Sequence, residues 1–99
     1  MKFTQVIDFK TNRIDDFTAA LDAVIASTEG HRIPHRAVLR RHRDGAHHYQ
    51  LVVEFPNHDL GMENSRRPEI GAFAATLFAI CEEPPIFSDL DVLREEDLR

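Results

Sequence analysis

Apolar and polar residues alternate along four stretches of this chain and recur at three- and four-residue spacing along two others. The first alternating stretch, Phe3 to Lys10, is rich in β-branched and aromatic residues and predicts a strand. Phe3, Gln5, Ile7 and Phe9 share its more apolar face; Thr4, Val6, Asp8 and Lys10 share the other. Asn12 is the expected N-cap of the helix that follows, and Asp15 and Asp16 suit its first turn, where the dipole favours carboxylates. Ile14, Phe17, Leu21, Val24, Ile25 and Thr28 form one stripe of that helix. Gly30 supplies its stop, and Pro34 separates it from the next strand.

Segments 35–43 and 46–55 flank Asp44-Gly45, a hairpin signal. The turn alone permits two registers, and one residue of slip moves every side chain to the opposite face. A two-residue loop pairs His42 with His47 and Arg40 with Tyr49. A three-residue loop with a glycine bulge instead sets Ala37 and Leu39 on one face with Tyr49, Leu51, Val53 and Phe55. Val38 and Val52 then share the other face with Arg36, Arg40, Gln50 and Glu54. The second register gathers the apolar residues better and is the one expected.

Pro56-Asn57-His58-Asp59 breaks the strand, and Asp59 can cap a short helical stretch through Leu60, Met62 and Glu63. Pro68 interrupts it and suits the first turn of a longer helix, whose stripe is Ile70, Phe73, Ala74, Leu77, Ile80 and Cys81. Glu82-Glu83-Pro84-Pro85 ends that helix, and Ile86 to Leu93 alternates as a fourth strand. The order β-α-β-β-α-β predicts an α+β, ferredoxin-like single domain over residues 1–99: a four-stranded antiparallel sheet with the helices on one face. Every strand candidate carries apolar side chains on both faces, yet the helices can cover only one. Monomers rarely expose such a patch, so a second copy packing sheet to sheet is expected.

Composition narrows the classes. The net charge of −5 disfavours nucleic acid and anionic membrane as partners. No apolar run nears the ~20 residues that span a bilayer, and the N-terminal residues lack a signal-peptide pattern. Cys81 is the lone cysteine, which excludes an internal disulfide, and a cytoplasmic protein is expected.

Four stretches carry a family resemblance: Tyr49-Gln50-Leu51-Val52-Val53-Glu54-Phe55-Pro56, Met62-Glu63-Asn64-Ser65, Phe73-Ala74-Ala75-Thr76-Leu77, and Pro85 through Leu93. Together they make the chain resemble the dimeric α/β-barrel superfamily, in which it is most similar to antibiotic-biosynthesis-monooxygenase-like members. The resemblance implies two sheets pairing into a barrel and a pocket between sheet and helices. By position it implies a lining from Gln5, Ile7, Tyr49, Leu51, Asn64, Arg67, Phe73 and Leu77. The implied activity is cofactor-independent oxygenation of an apolar or aromatic small molecule, the substrate itself passing electrons to dioxygen. The alternative is a non-enzymatic dimeric module that binds a ligand or another protein. Haem-degrading relatives use a histidine on the second helix, a tryptophan and an asparagine. Here 60–83 holds no histidine, the chain has no tryptophan, and Gln5 stands where the first strand would offer asparagine, so no cofactor is expected.

The remaining chemistry-bearing residues read as structural. His42, His47 and His48 flank the hairpin turn, and with no carboxylate or cysteine to complete a set, no metal site is expected. His31 and His35 lie in a connector, exposed and able to pair with carboxylates; either can also serve as a base. Asp89 and Asp91 are expected to pair with Arg36, Arg40 or Arg41. Cys81, on an apolar stripe, reads as an inert buried thiol.

Overall fold

The computed structural model describes residues 1–99. Its elements are β1 (Phe3–Lys10), α1 (Ile14–Ser27), β2 (Arg36–Arg41), β3 (His48–Phe55), α2 (His58–Ser65), α3 (Pro68–Ile80) and β4 (Ile86–Asp91). The strands form one antiparallel sheet in the order β2-β3-β1-β4. This is the expected ferredoxin-like α+β fold, with its second crossover divided into two helices. The division falls at Pro68. Its predecessor Arg67 is extended at φ −74° and ψ 141°, as the ring of a following proline requires, and Pro68 opens α3. No helix is long and apolar enough to cross a membrane.

The hairpin takes the register that gathers the apolar residues: Arg36 opposes Glu54, Val38 opposes Val52 and Leu39 opposes Leu51. The turn differs in detail. The residue in the left-handed region is His47, at φ 64°, and not Gly45. Its carbonyl accepts the Thr11 N–H at 2.9 Å, which holds that conformation from outside the hairpin.

Both helix caps also depart from expectation. Asn12 does not cap α1; its N-cap position is Arg13, which makes no side-chain cap bond. The work passes to Thr11, fully buried, whose hydroxyl accepts the Arg13 N–H at 3.0 Å and donates to the Ile80 carbonyl at 2.6 Å. One side chain thereby ties the start of α1 to the end of α3. At α2 the cap is Asn57 rather than Asp59: its side-chain oxygen accepts the Leu60 N–H at 2.9 Å. Gly30, at φ +84°, does mark the turn beyond α1.

The helices cover the sheet face that carries Phe3, Ile7, Phe9, Leu51 and Phe55, all buried, and Phe17, Leu77 and Ile80 complete the core from α1 and α3. α2 approaches this face closely at Gly61, where an added Cβ would lie 2.6 Å from Phe3 Cε2; only glycine fits. On the opposite face Val38, Val52, Val6 and Ser88 align across all four strands. Ile86 and Leu90 stand exposed beside that row. Asp89 and Asp91 lie on β4, at the far edge of the sheet from the arginines of β2, so the expected pairing between them does not form. Asp89 instead accepts a hydrogen bond from Gln5 Nε2 at 3.3 Å.

Candidate functional site

The helices leave part of the sheet uncovered. Ala37 and Leu39 share the helix-facing side of the sheet with Val53 and Leu51, yet both are exposed. A cavity of about 480 Å³ occupies the space between this side of the sheet and the two long helices. Thirteen of its twenty lining residues are hydrophobic, so it favours an apolar occupant. Its walls follow from the two periodicities in the sequence. Alternation along β1 and β3 supplies Gln5, Ile7, Leu51 and Val53, and the helical stripes supply Leu21, Val24, Ile70, Phe73, Ala74 and Leu77.

Of the expected pocket residues, the structure brings Gln5, Asn64 and Phe73 to this cavity, together with Ile7, Leu51 and Leu77. Tyr49 and Arg67 are not among its lining residues. Tyr49 stacks on Phe9 with ring centroids 5.8 Å apart. Arg67 sits at the start of α3, where its Nη1 donates to the His31 carbonyl at 2.5 Å. His31 in turn lies 3.5 Å from the Glu69 carboxylate, so two side chains of the α3 N-terminal region staple the α1–β2 connector. Asn64 is buried on α2, and no buried side-chain polar atom in the chain lacks a partner. Amide capacity that Asn64 does not use within the protein is therefore open to the cavity rather than sealed in the core.

Thr28, Arg32, His35 and Arg36 add a polar group to the lining from the end of α1, the connector and β2. Arg32 spends its guanidinium on the end of α1: Nη2 donates to the Ile25 carbonyl at 2.5 Å and Nε to the Thr28 hydroxyl at 3.3 Å. The Ile25 carbonyl sits at the negative end of the helix dipole, where a cation is favoured. His35 pairs with Glu54, Nε2 to Oε1 at 2.6 Å, while its backbone N–H donates to the Glu54 carbonyl at 3.0 Å. With Nε2 as the donor to the carboxylate, Nδ1 is the ring nitrogen left for other chemistry. The connector reading placed His35 as exposed and able to pair, and both hold; Arg32 carried no signal, because its place depends on the connector folding back along α1.

The His35 hydrogen bond, aided by Lys2 at 3.4 Å, holds the Glu54 carboxyl below its ordinary value of 4.5. A carboxyl lowered by folding contributes stability above its unfolded value, and that contribution is lost as pH falls through the folded one. The melting temperature is expected to fall below about pH 4.5 in the native chain. Glu54→Gln should show a shallower fall in acid; melting curves that superpose across the acid range would remove this role for Glu54. Cys81, expected as a buried inert thiol, is half-buried, and burial raises its thiol above 9.0, which disfavours the reactive thiolate.

One expectation about the histidines is overturned. A carboxylate does complete the His42 and His48 pair: Asp8, on the neighbouring strand, touches His48 Nε2 and lies 3.7 Å from His42 Nε2. None of the three lines the cavity.

No family model matches the chain, and no curated protein matches it in sequence. Solved structures do match its fold. Rv0793 from Mycobacterium tuberculosis superposes with a TM-score of 0.77 at 20% identity, over 98% of this chain and 100% of that one. SnoaB, a cofactor-independent oxygenase from Streptomyces nogalater, superposes with a TM-score of 0.79 at 18% identity, over 95% of each chain. An antibiotic biosynthesis monooxygenase superposes with a TM-score of 0.74 at 13% identity, over 95% of this chain and all of the other. At such identities the likeness establishes the fold, that of antibiotic-biosynthesis-monooxygenase-like structures, and chemistry has to be argued from the site.

Proposed function

We propose that the chain binds an apolar or aromatic small molecule in the cavity between sheet and helices and, as a homodimer, oxidises it with dioxygen without a bound cofactor. The observation that carries this reading is the 480 Å³ cavity, mostly hydrophobic, with few polar groups that could orient an occupant. The fold likeness to a cofactor-independent oxygenase supports it. Gln5 and Asn64 offer amides to a hydroxyl or carbonyl of the substrate, and Phe73 offers a ring face. His35 is the base in this reading. Glu54 holds one ring nitrogen, which leaves the other to take a proton from a phenolic or activated C–H group. The resulting electron-rich anion reduces dioxygen directly: an activated CH₂ becomes C=O, and the second oxygen atom leaves as water.

Thermal-shift screening against hydroxylated polycyclic aromatics, followed by oxygen uptake with those that stabilise the fold, tests this. His35→Gln is expected to lower uptake about 100-fold, within the usual range for loss of a general base, while leaving affinity close to native. Uptake unchanged by that substitution sinks the assignment. Binding without uptake would favour the non-enzymatic reading, which the commitment of Gln5 to Asp89 and of Arg32 to the Ile25 carbonyl and Thr28 hydroxyl supports. A panel that never shifts the melting temperature ends both readings.

The homodimer is proposed from the open sheet face. The Val38-Val52-Val6 row with Leu90 and Ile86 beside it is an apolar band that a second copy would remove from water. Light scattering is expected to give about twice the chain mass of 11.4 kDa. Val52→Glu should shift the mass to that of one chain, and a native chain that scatters as a monomer overturns the assembly.

A further inference from the structure

The backbone N–H of His42 donates to the His48 carbonyl at 3.0 Å, which carries the β2–β3 pairing past Arg41 and makes the two imidazoles cross-strand neighbours. Their rings stack at 3.7 Å between centroids and 11° between planes. Asp8 projects from β1 on the same open face, one carboxylate oxygen against His48 Nε2 and the other 3.7 Å from His42 Nε2. One ligand atom from each of the three residues lies within 4.8 Å of the others. All three side chains are half-buried. Gly45 brings the loop down onto the pair. A Cβ there would lie 3.2 Å from His48 Cβ and 3.6 Å from His42 Cβ. The nearest lysine on this face, Lys10, is drawn to Glu83 at 3.2 Å.

We propose that Asp8, His42 and His48 form a binding site for a borderline divalent transition metal of the zinc class. Two nitrogens and one oxygen suit Zn²⁺, Co²⁺, Ni²⁺ or Cu²⁺, whereas Mg²⁺ and Ca²⁺ demand oxygen ligands. Tetrahedral coordination at ordinary zinc–nitrogen distances separates ligand atoms by about 3.4 Å, and one ion in the plane of both rings requires them to rotate out of their near-parallel stack. Three ligands leave the fourth position to water. The site joins β1, β3 and the hairpin loop. It stands apart from the cavity, so it does not rest on the proposed oxidation.

The test is calorimetric titration of the tag-free, chelator-stripped chain with Zn²⁺ alone, with Co²⁺ visible absorption as a second readout. One Zn²⁺ per chain is expected, with a rise in melting temperature because binding favours the folded state. Asp8→Asn and His48→Gln should each weaken Zn²⁺ binding at least 10-fold and abolish the tetrahedral Co²⁺ bands, while His31→Gln, outside the cluster, leaves both unchanged. Circular dichroism verifies folding; should His48→Gln unfold, His42→Gln on the loop is read in its place. Failure to saturate below millimolar Zn²⁺, or affinity in Asp8→Asn and His42→Gln equal to native, overturns the site and leaves only adventitious binding.

Discussion

Phe17→Ala is expected to lower the unfolding free energy by about 3–5 kcal/mol, the range for an aromatic ring removed from a packed core. Phe17 is 1% exposed and is the one buried residue of α1. Its ring meets Phe9 at 4.6 Å and Phe73 at 5.5 Å, so it joins β1, α1 and α3 at one point. α1 makes no side-chain bond at its own N-cap residue, which leaves its docking dependent on this contact and on Thr11. A small domain has about 5–15 kcal/mol in total, so the variant should stand close to unfolding at ambient temperature. Urea unfolding at fixed chain concentration checks it: the midpoint should drop with little change in slope. A loss under ~1 kcal/mol would mean that the site collapses around the missing ring far more completely than packed cores do.

Ala74→Trp should cost any hydroxylated aromatic that stabilises the native chain at least 100-fold in affinity. Ala74 lines the cavity from α3, beside Phe73 and Leu77, and its methyl is the smallest side chain that α3 contributes there. An indole in its place fills space the occupant would need, while apolar neighbours offset its burial, so the melting temperature should hold or rise. Ala75, the next residue on α3, is exposed, and Ala75→Trp serves as the control expected to bind normally. Calorimetry with the same aromatic on both variants decides the matter. Native affinity in Ala74→Trp would place the binding site elsewhere on the chain.

The fold was legible where periodicity decides it. Alternation from Phe3 to Phe9 and from Tyr49 to Phe55 marks the faces of the central strands, and the demand that apolar residues share a face selects the hairpin register. Caps were less legible, because a side-chain oxygen caps only where the preceding loop aims it: Thr11 and Asn57 are aimed at N–H groups, and Asn12 and Asp59 are not. The cavity walls were readable as stripes. Of its polar lining, Gln5 and Asn64 were expected, whereas Arg32 and His35 take their places only when the connector folds back along α1 and β3. The Asp8, His42 and His48 cluster stayed hidden for a different reason. Asp8 and His48 are 40 positions apart, and only the β1–β3 pairing, which no turn signal announces, brings them together.

The strand order carries a consequence for biosynthesis. β1 is an interior strand, held on one side by β3 and on the other by β4, and the Thr4 hydroxyl reaches the Leu90 carbonyl across 86 positions. Within this domain β1 emerges before the other strands and waits for β4 before both its edges are paired. Until then it presents an unpaired edge rich in β-branched and aromatic residues, a template for pairing with other chains. Such long-range closure also slows folding relative to helical domains of similar size. Nascent chains stalled before Ile86 lack the partner of one β1 edge and are expected to aggregate more readily than chains carrying β4, as sedimentation of stalled complexes would read.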